Sequence, residues 1–213
     1  MQALIVFDFE TTGLNATKLN PTTGAMEPHH EAIQVAAVAL ELRTLKQIGA
    51  FAASMRPLRP ELATQQALNV HGWSLDFLRE QAHPGEVSKV FRSWVNQWRR
   101  PIACGYNLDF DMGFLAEWCP GIDWNNRRLD VMHLVMAHFF IPGLTKDTKL
   151  VTVSKHLDIP HNAHDALGDV MVTAEVLRIA SKAMHAKKEE PEQEVVEEVK
   201  APEQPEVALI PFD

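Results

Sequence analysis

The chain has 213 residues, 46% of them hydrophobic, and its formal net charge at pH 7 is −8. This length and composition predict one ordinary globular domain with a sizeable core, and they require no second folded domain. The sequence has no apolar run near the ~20 residues of a membrane span and no basic flank typical of a signal peptide, so we expect a soluble, cytoplasmic protein with no membrane partner.

Most of the negative charge lies at the C-terminal end. Residues 186–213 contain nine acidic and three basic residues, so they hold −6 and leave −2 for residues 1–185. The larger part of the chain has no basic stripe of the kind that covers duplex DNA. This charge pattern favours capture of a substrate at a local cleft over a long electrostatic interface.

The first predicted element is a buried strand that ends in two carboxylates. The apolar run Leu4-Ile5-Val6 leads directly into Phe7-Asp8-Phe9-Glu10. Because side chains alternate along a strand, Asp8 and Glu10 should project from the same face. Two adjacent carboxylates repel each other and resist burial. They indicate either a site for hard cations such as Mg²⁺ or Mn²⁺, or two solvated groups at a strand end.

A polar stretch with two prolines and a glycine follows, and it predicts a long loop over residues 15–30. A loop of this length in a compact domain is often functional, so it could gate or select a substrate. Residues 31–42 and 45–54 then predict two long strands joined by a tight connection. With the first strand they would form an antiparallel three-stranded unit.

The middle of the chain predicts a helix, a strand and a second helix. Apolar and aromatic residues recur at helical spacing over residues 86–98, which predicts an amphipathic helix with its aromatic side chains in the core. Residues 102–106 predict a strand and residues 110–118 the following helix. Asp111 should lie in the first turn of that helix, where it can face the end of the first strand. Asp109 competes with it for that role but is better interpreted as the N-cap of the helix.

Two more helices are predicted, over residues 149–157 and after His164. Asp130, which begins a short strand and helix, is interpreted as a cap and not as a metal ligand. His164 and Asp169 are five residues apart, so on a regular helix they would point about 140° apart. We therefore expect His164 on the loop before the last helix and Asp169 within its first turns.

Three of these segments share their order and spacing with a known set of motifs. Asp8 and Glu10 fit the motif D-x-E-T-T-G, and Asn107 and Asp111 fit N-x-x-F-D. His164 and Asp169 fit H-x-x-x-x-D. Together they resemble the DEDDh (DnaQ-like) superfamily of 3′ to 5′ exonucleases, and the similarity extends over about residues 1–180. Within that superfamily, the chain is similar to the epsilon-type proofreading exonucleases of DNA polymerase III. The resemblance implies an α/β, ribonuclease H-like fold with a mixed five-stranded sheet covered by helices.

The resemblance also implies a two-metal-ion phosphodiester hydrolase. The carboxylates that would hold two Mg²⁺ or Mn²⁺ ions are Asp8, Glu10, Asp111 and Asp169. His164 would take the proton from the attacking water, a task suited to a group that titrates near neutral pH. His161 is a rival histidine, but its spacing to Asp169 does not fit the motif.

A further set of residues would bind the substrate by the same resemblance. These residues are Thr11, Thr12, Gly13, Leu14, His71 and Asn107. The backbone of the first three would hold the terminal nucleotide, Leu14 would wedge against its base, and Asn107 would position the second motif. His71 lies in a segment similar to one near the substrate's 3′ end in the family, and it either contacts the substrate or packs as a capping histidine.

The predicted activity is removal of nucleoside 5′-monophosphates from the 3′ end of single-stranded DNA, in proofreading, repair or replication. Single strands fit best, because a duplex end would have to fray before its last nucleotide reached the metals. An exoribonuclease of the same fold is the first alternative, since nothing in the sequence identifies a reader of the 2′-hydroxyl group. A non-catalytic adaptor recruited through its tail is the second, although the intact metal-ligand motifs argue against it.

The composition changes sharply near residue 186. We expect an exonuclease domain over residues 1–185, a disordered acidic linker over 186–207 and an apolar tip over 208–213. Leu209, Ile210 and Phe212 in this tip are loosely similar to sliding-clamp-binding peptides and to the tip of single-strand-binding proteins. They indicate either a motif for a sliding clamp, polymerase or other replication protein, or an inert tail.

Overall fold

The computed structural model describes residues 2–189, with side chains through residue 183. In chain order its strands are β1 (Ala3–Thr11), β2 (Thr17–Leu19), β3 (Met26–Pro28), β4 (Ala32–Glu41), β5 (Gln47–Ser54), β6 (Ile102–Gly105) and β7 (Arg128–Asp130). Its helices are α1 (Gln65–His71), α2 (Leu75–Arg79), α3 (Pro84–Val95), α4 (Leu108–Trp118), α5 (Val131–Val135), α6 (Leu150–His156) and α7 (Ala166–Glu189). A 3₁₀ turn spans Pro60–Leu62, and a π-helical turn, Met136–Phe140, extends α5.

A mixed five-stranded sheet in the order β5-β4-β1-β6-β7 forms the centre of the fold. β4 runs antiparallel to both β1 and β5, whereas β6 runs parallel to β1 and β7. The predicted mixed sheet and its antiparallel three-stranded unit are therefore confirmed. β1 lies in the middle because its side chains are apolar on both faces over most of its length.

The two faces of β1 belong to two separate cores. Phe7 and Phe9 face a core that includes the aromatic residues of α3, so the predicted packing role of that helix is confirmed. Leu4 and Val6 face the opposite core, which is covered mainly by α7. Since side chains alternate along the strand, Asp8 and Glu10 continue the row of Leu4 and Val6 and point towards the start of α7.

The predicted loop over residues 15–30 is wrong in part, because the segment forms a two-stranded ribbon. β2 and β3 pair antiparallel, with Thr17 opposite Pro28 and Leu19 opposite Met26. Asn20 closes the turn, since its Oδ1 accepts hydrogen bonds from the backbone N–H groups of the two threonines that follow the proline, at 2.8 and 3.2 Å. This turn chemistry lets a polar segment form strands that carry no continuous apolar pattern.

The predicted N-cap at Asp109 is also wrong. α4 begins at Leu108, and Asn107 is its N-cap residue in the left-handed conformation, with φ of 60°. The Asp130 carboxylate accepts hydrogen bonds from the backbone N–H groups of Asn107 and Leu108, each at 3.0 Å. Asp130 also caps α5 through the N–H of Met132 at 2.9 Å. It is therefore a cap, as predicted, and it serves two helices at once.

α7 continues to Glu189, so residues 186–189 of the predicted linker belong to this helix. The rest of that linker and the predicted partner-binding tip, with Leu209, Ile210 and Phe212, lie outside the described residues. Among the helices that the structure describes, none combines the length and the apolar character needed to cross a membrane.

Candidate active site

Three carboxylates meet where β1 ends and α7 begins. Asp8 and Glu10 project from the same face of β1, and Asp169 reaches them from the first turn of α7. One oxygen from each of these side chains lies within 4.8 Å of the others. The fold therefore brings the predicted ligands of the first and third motifs together.

Asp111, the carboxylate of the second motif, approaches the same strand from the first turn of α4. Its side chain is only 1% exposed, and its Oδ1 accepts a hydrogen bond of 3.0 Å from the backbone N–H of Phe9. Phe9 lies between the two acidic residues of β1. Asp109, on the same turn of α4, is exposed. Of these two aspartates, the structure brings Asp111 to the site.

Burial and mutual repulsion make these carboxylates hard to ionise. Burial is the main cause that raises the pKa of Glu10 from 4.5 to about 7, and the charges of Asp169 and Asp165 add to it. Burial, followed by the charge of Asp111, raises the pKa of Asp8 well above its ordinary value. The pKa of Asp111 is raised chiefly by burial, although the N–H of Phe9 opposes this. Such a cluster takes up protons or a cation, and its oxygen donors fit the hard ions Mg²⁺ and Mn²⁺.

His164 lies on the loop before α7, as predicted. It is exposed, and its backbone has the left-handed conformation with φ of 69°. Its N–H donates to Oδ2 of Asp169 at 3.3 Å. The pKa of the His71 imidazole is lowered first by burial and then by the charge of His164, so the two rings share one electrostatic environment.

The histidine ring in contact with Asp169 is that of His161. Its Nε2 contacts Oδ1 of Asp169, and its Nδ1 lies 3.1 Å from Oγ of Ser154. In the sequence analysis His161 was set aside as the motif histidine because of its spacing to Asp169, and this contact was not anticipated. The contact depends on the path of the segment between α6 and α7.

A cavity of about 170 Å³ adjoins Glu10. Four of the predicted substrate contacts line it, namely Thr11, Gly13, Leu14 and His71. Thr11 Oγ1 donates to the carbonyl oxygen of Gly13 at 2.8 Å, which fixes the turn after β1. Leu14 is 72% exposed and is free to contact a ligand at the mouth of the cavity.

The other two predicted substrate contacts lie elsewhere. Thr12 is fully buried, and its Oγ1 accepts from the N–H of Glu31 at 2.8 Å while its carbonyl accepts from the N–H of Thr64 at 2.9 Å. Its observed contacts join the turn after β1 to two neighbouring segments. Asn107 is exposed at the start of α4, outside the group of residues that lines the cavity.

His71 is 8% exposed and ends α1. Its Nδ1 accepts a hydrogen bond from the N–H of Trp73 at 3.1 Å. Its Nε2 is buried and has no hydrogen-bond partner among the described residues. Because the acceptor at Nδ1 is already fixed, a neutral ring would carry its proton on Nε2.

Gln34 was missed by the sequence analysis. It lies opposite Glu10 in the β1–β4 register, and its side-chain oxygen accepts from the N–H of Ala166 at 3.0 Å. Its amide nitrogen donates to Oδ1 of Asp165 at 3.3 Å. The Gln34 side chain thus fastens the start of α7, which carries Asp169, to the sheet. The sequence signal that could have identified Gln34 is its single amide side chain within the largely apolar strand β4.

Comparison with known proteins links this site to a family. A family model described as an exonuclease matches residues 5–177. A DNA polymerase III PolC-type protein of Oceanobacillus iheyensis is 29% identical over 175 residues, which cover 81% of this chain and 11% of that protein. A DNA polymerase III subunit epsilon-like protein of Rhodobacter capsulatus is 30% identical over 174 residues, or 80% of this chain and 22% of that protein. The chain thus spans less than a quarter of the length of either relative.

Solved structures show the same fold. Escherichia coli exonuclease I in complex with a dT13 oligonucleotide matches with a TM-score of 0.69 and 18% identity, over 88% of this chain and 43% of that one. The likeness confirms the predicted ribonuclease H-like exonuclease fold.

Proposed function

Because the chain belongs to the exonuclease family that matches residues 5–177, we propose that it is a metal-dependent 3′ to 5′ exonuclease acting on single-stranded DNA. One observation carries this proposal. Carboxylates from three distant segments converge at the end of β1, beside a small cavity. The products are nucleoside 5′-monophosphates.

The four carboxylates of the proposed metal site are Asp8, Glu10, Asp111 and Asp169. When bound, two divalent cations supply activation of the attacking water and neutralise charge on the phosphate and the leaving oxygen. Asp8 would hold a cation together with these neighbours, because the charges of the other three carboxylates all act on it. The raised pKa values in the cation-free protein support this assignment, since bound cations relieve the repulsion that causes part of the shift.

His164 accepts the proton of the attacking water. It is exposed on the loop beside Asp169, so water and substrate can reach its ring, whereas the His161 ring is enclosed. An imidazole is suited to this role because its ordinary pKa lies near neutral pH. The left-handed backbone at His164 directs its N–H to the proposed ligand Asp169 and so ties the base to the metal site.

The terminal nucleotide occupies the cavity next to Glu10. The backbone of Thr11 and Gly13 holds it, the exposed Leu14 contacts its base, and His71, which also lines the cavity, contacts it from α1. Asn107 positions the second motif from the start of α4. The near-neutral charge of residues 1–185 favours a single strand over a long duplex interface.

The preference for DNA is supported by the comparisons. The relatives are described as DNA polymerase III proteins, and the solved exonuclease I holds a DNA oligonucleotide. These descriptions belong to those proteins and favour a role in replication, proofreading or repair for this one. For the tip with Leu209, Ile210 and Phe212 we propose a replication partner such as a sliding clamp or polymerase, joined to the exonuclease domain by the acidic linker.

Digestion of matched 5′-labelled single-stranded DNA and RNA tests the activity. With Mg²⁺ or Mn²⁺, the wild-type protein should shorten DNA from its 3′ end, and Asp8→Ala and His164→Ala should both abolish the shortening. Asp109→Asn is a matched control, because Asp109 is exposed on the same turn of α4 as Asp111 and should be dispensable. Preferential shortening of RNA would identify an exoribonuclease. No shortening of either strand would favour a non-catalytic adaptor.

Recruitment through the tip is tested separately. Binding of the full chain to a purified sliding clamp or polymerase is compared with binding of a variant in which Leu209, Ile210 and Phe212 are alanine. We expect the variant to lose binding and to retain nuclease activity. Unchanged binding would dismiss the tip as the contact.

A further inference from the structure

His161 is a second histidine at the proposed metal site, and the function proposed above gives it no task. It lies in the segment between α6 and α7, and its side chain is only 4% exposed. Its ring stands between two fixed groups, with Nε2 on Oδ1 of Asp169 and Nδ1 3.1 Å from Oγ of Ser154. Ser154 itself is 1% exposed on α6. The ring is therefore held in one orientation by buried contacts on both sides.

The donor and acceptor roles of this chain of contacts can be assigned. A neutral imidazole has one N–H and one bare nitrogen. A carboxylate only accepts, so Nε2 carries the hydrogen and donates it to Asp169. Nδ1 is then the acceptor, and the hydroxyl of Ser154 can donate to it. The carbonyl of Val151, 3.1 Å from the same hydroxyl, competes for that hydrogen within α6.

The Asp169 carboxylate is consequently held at both oxygens. His161 contacts Oδ1, and the backbone N–H of His164 donates to Oδ2 at 3.3 Å. Each carboxylate oxygen has two lone pairs, so either oxygen can accept one hydrogen bond and still face a cation. The two contacts fix the orientation of this carboxylate, one oxygen of which lies within 4.8 Å of oxygens of Asp8 and Glu10.

We infer that His161, oriented by Ser154, is a positioning residue that presents the Asp169 carboxylate to the catalytic cation. The inference rests on the proposed function, because it assumes that Asp169 is a metal ligand. Hydrogen bonds made to a ligand by its neighbours usually change metal affinity or activity by about 10- to 100-fold. His161 acts through Asp169 because its ring is enclosed and both of its nitrogens are engaged. His164 remains the group that reaches the water.

Binding of Mn²⁺ to the full chain without nucleic acid, measured by calorimetry or electron paramagnetic resonance, tests this inference. His161→Ala should weaken Mn²⁺ binding by about 10- to 100-fold. His161→Gln, whose amide nitrogen can replace Nε2 as a donor, should recover part of that loss. Ser154→Ala should weaken binding less than His161→Ala does, because the ring keeps its contact with Asp169. In nuclease assays, His161→Ala should raise the Mn²⁺ concentration needed for half-maximal rate and leave kcat at saturating Mn²⁺ close to the wild-type value.

His156→Ala is the matched control. His156 is exposed on α6, and its ring packs against Phe139 with 5.9 Å between the ring centroids, so its loss should leave Mn²⁺ affinity unchanged. Thermal unfolding in EDTA shows which variants are folded. If His161→Ala does not fold, Ser154→Ala and the recovery by glutamine decide the question.

Four outcomes would overturn the inference. Unchanged Mn²⁺ affinity in folded His161→Ala would remove the positioning role. Tighter binding would mean that His161 competes with the cation for Asp169. Loss of kcat at unchanged affinity would make His161 part of the reaction itself. If the wild-type protein binds no Mn²⁺ at all, the proposed metal site fails and the inference fails with it.

Discussion

The buried carboxylate of Asp111 accepts a hydrogen bond from the backbone N–H of Phe9, although 102 positions separate the two residues in the chain. This contact holds the start of α4 against β1, next to Asp8 and Glu10. The second motif is thus attached to the backbone of the first. The hydrogen bond from Phe9 holds the Asp111 carboxylate in place.

Asp111→Asn separates the charge of this residue from its hydrogen bond. The asparagine oxygen can still accept from Phe9, so the fold should be retained, whereas one negative charge of the metal site is lost. We expect nuclease activity to fall by roughly two to three orders of magnitude, the size typical of losing one preorganised electrostatic contact. Steady-state rates on a 5′-labelled DNA strand measure this effect, with Asp109→Asn as the exposed neighbour that should keep wild-type rates.

The stability of the cation-free protein should depend on pH in an unusual direction. The pKa of Glu10 is raised from 4.5 to about 7, and those of Asp8 and Asp111 are raised as well. The folded state therefore holds protons that the unfolded chain releases at lower pH. This stabilisation is fully present below about pH 4.5 and is lost as the pH rises through about 7.

Thermal unfolding in EDTA between pH 5 and pH 8.5 measures that dependence. We expect the melting temperature to fall across this range, and Mg²⁺ or Mn²⁺ to remove most of the fall by replacing the protons. Asp8→Asn should flatten the curve, because it removes the carboxylate on which the other charges act. A melting temperature in EDTA that is independent of pH would contradict the buried, mutually repelling cluster.

Gln34→Leu should loosen the start of α7 with little change in side-chain volume. The substitution leaves the N–H of Ala166 without its acceptor and Asp165 without its donor, which costs about 1–3 kcal/mol when the group stays buried. We expect faster hydrogen exchange at the amide of Ala166 and a roughly tenfold loss of kcat/KM, since Asp169 lies in the same first turn of α7. Gln47→Leu, on the exposed end of edge strand β5, is the matched control and should change neither quantity.

The sequence predicted those parts of the site that depend on local geometry. Alternation along a buried strand placed Asp8 and Glu10 on one face, and the first turn of a helix placed Asp111 and Asp169 at helix starts. Contacts of residues outside the three motifs were not predictable. The role of Gln34 depends on which helix lies across β4, and the contact of His161 depends on the path of the segment between α6 and α7. The ribbon formed by β2 and β3 depends on hydrogen bonds around Asn20. The polar, proline-containing composition of this segment does not predict those hydrogen bonds.

Gly13 and His30 give a test of the cavity that is independent of the metal site. A Cβ built on Gly13 would lie 2.5 to 2.6 Å from three ring atoms of His30, so the imidazole occupies the space that a side chain would need. Gly13→Ala should therefore displace the turn that lines the nucleotide cavity, with a cost of about 1–3 kcal/mol typical of overpacking. We expect both the melting temperature and the affinity for single-stranded DNA to fall.

The double variant Gly13→Ala with His30→Ala decides whether this overlap is the cause. Removing the imidazole makes room for the new methyl group. Gly13→Ala should therefore lower stability and DNA affinity much less in the His30→Ala background than it does in the wild-type protein. A double-mutant cycle, with unfolding free energies and DNA binding constants for all four proteins, measures the coupling, and residues in contact typically couple by 0.5–3 kcal/mol. Additive effects would mean that alanine disturbs the turn through its backbone and not through His30.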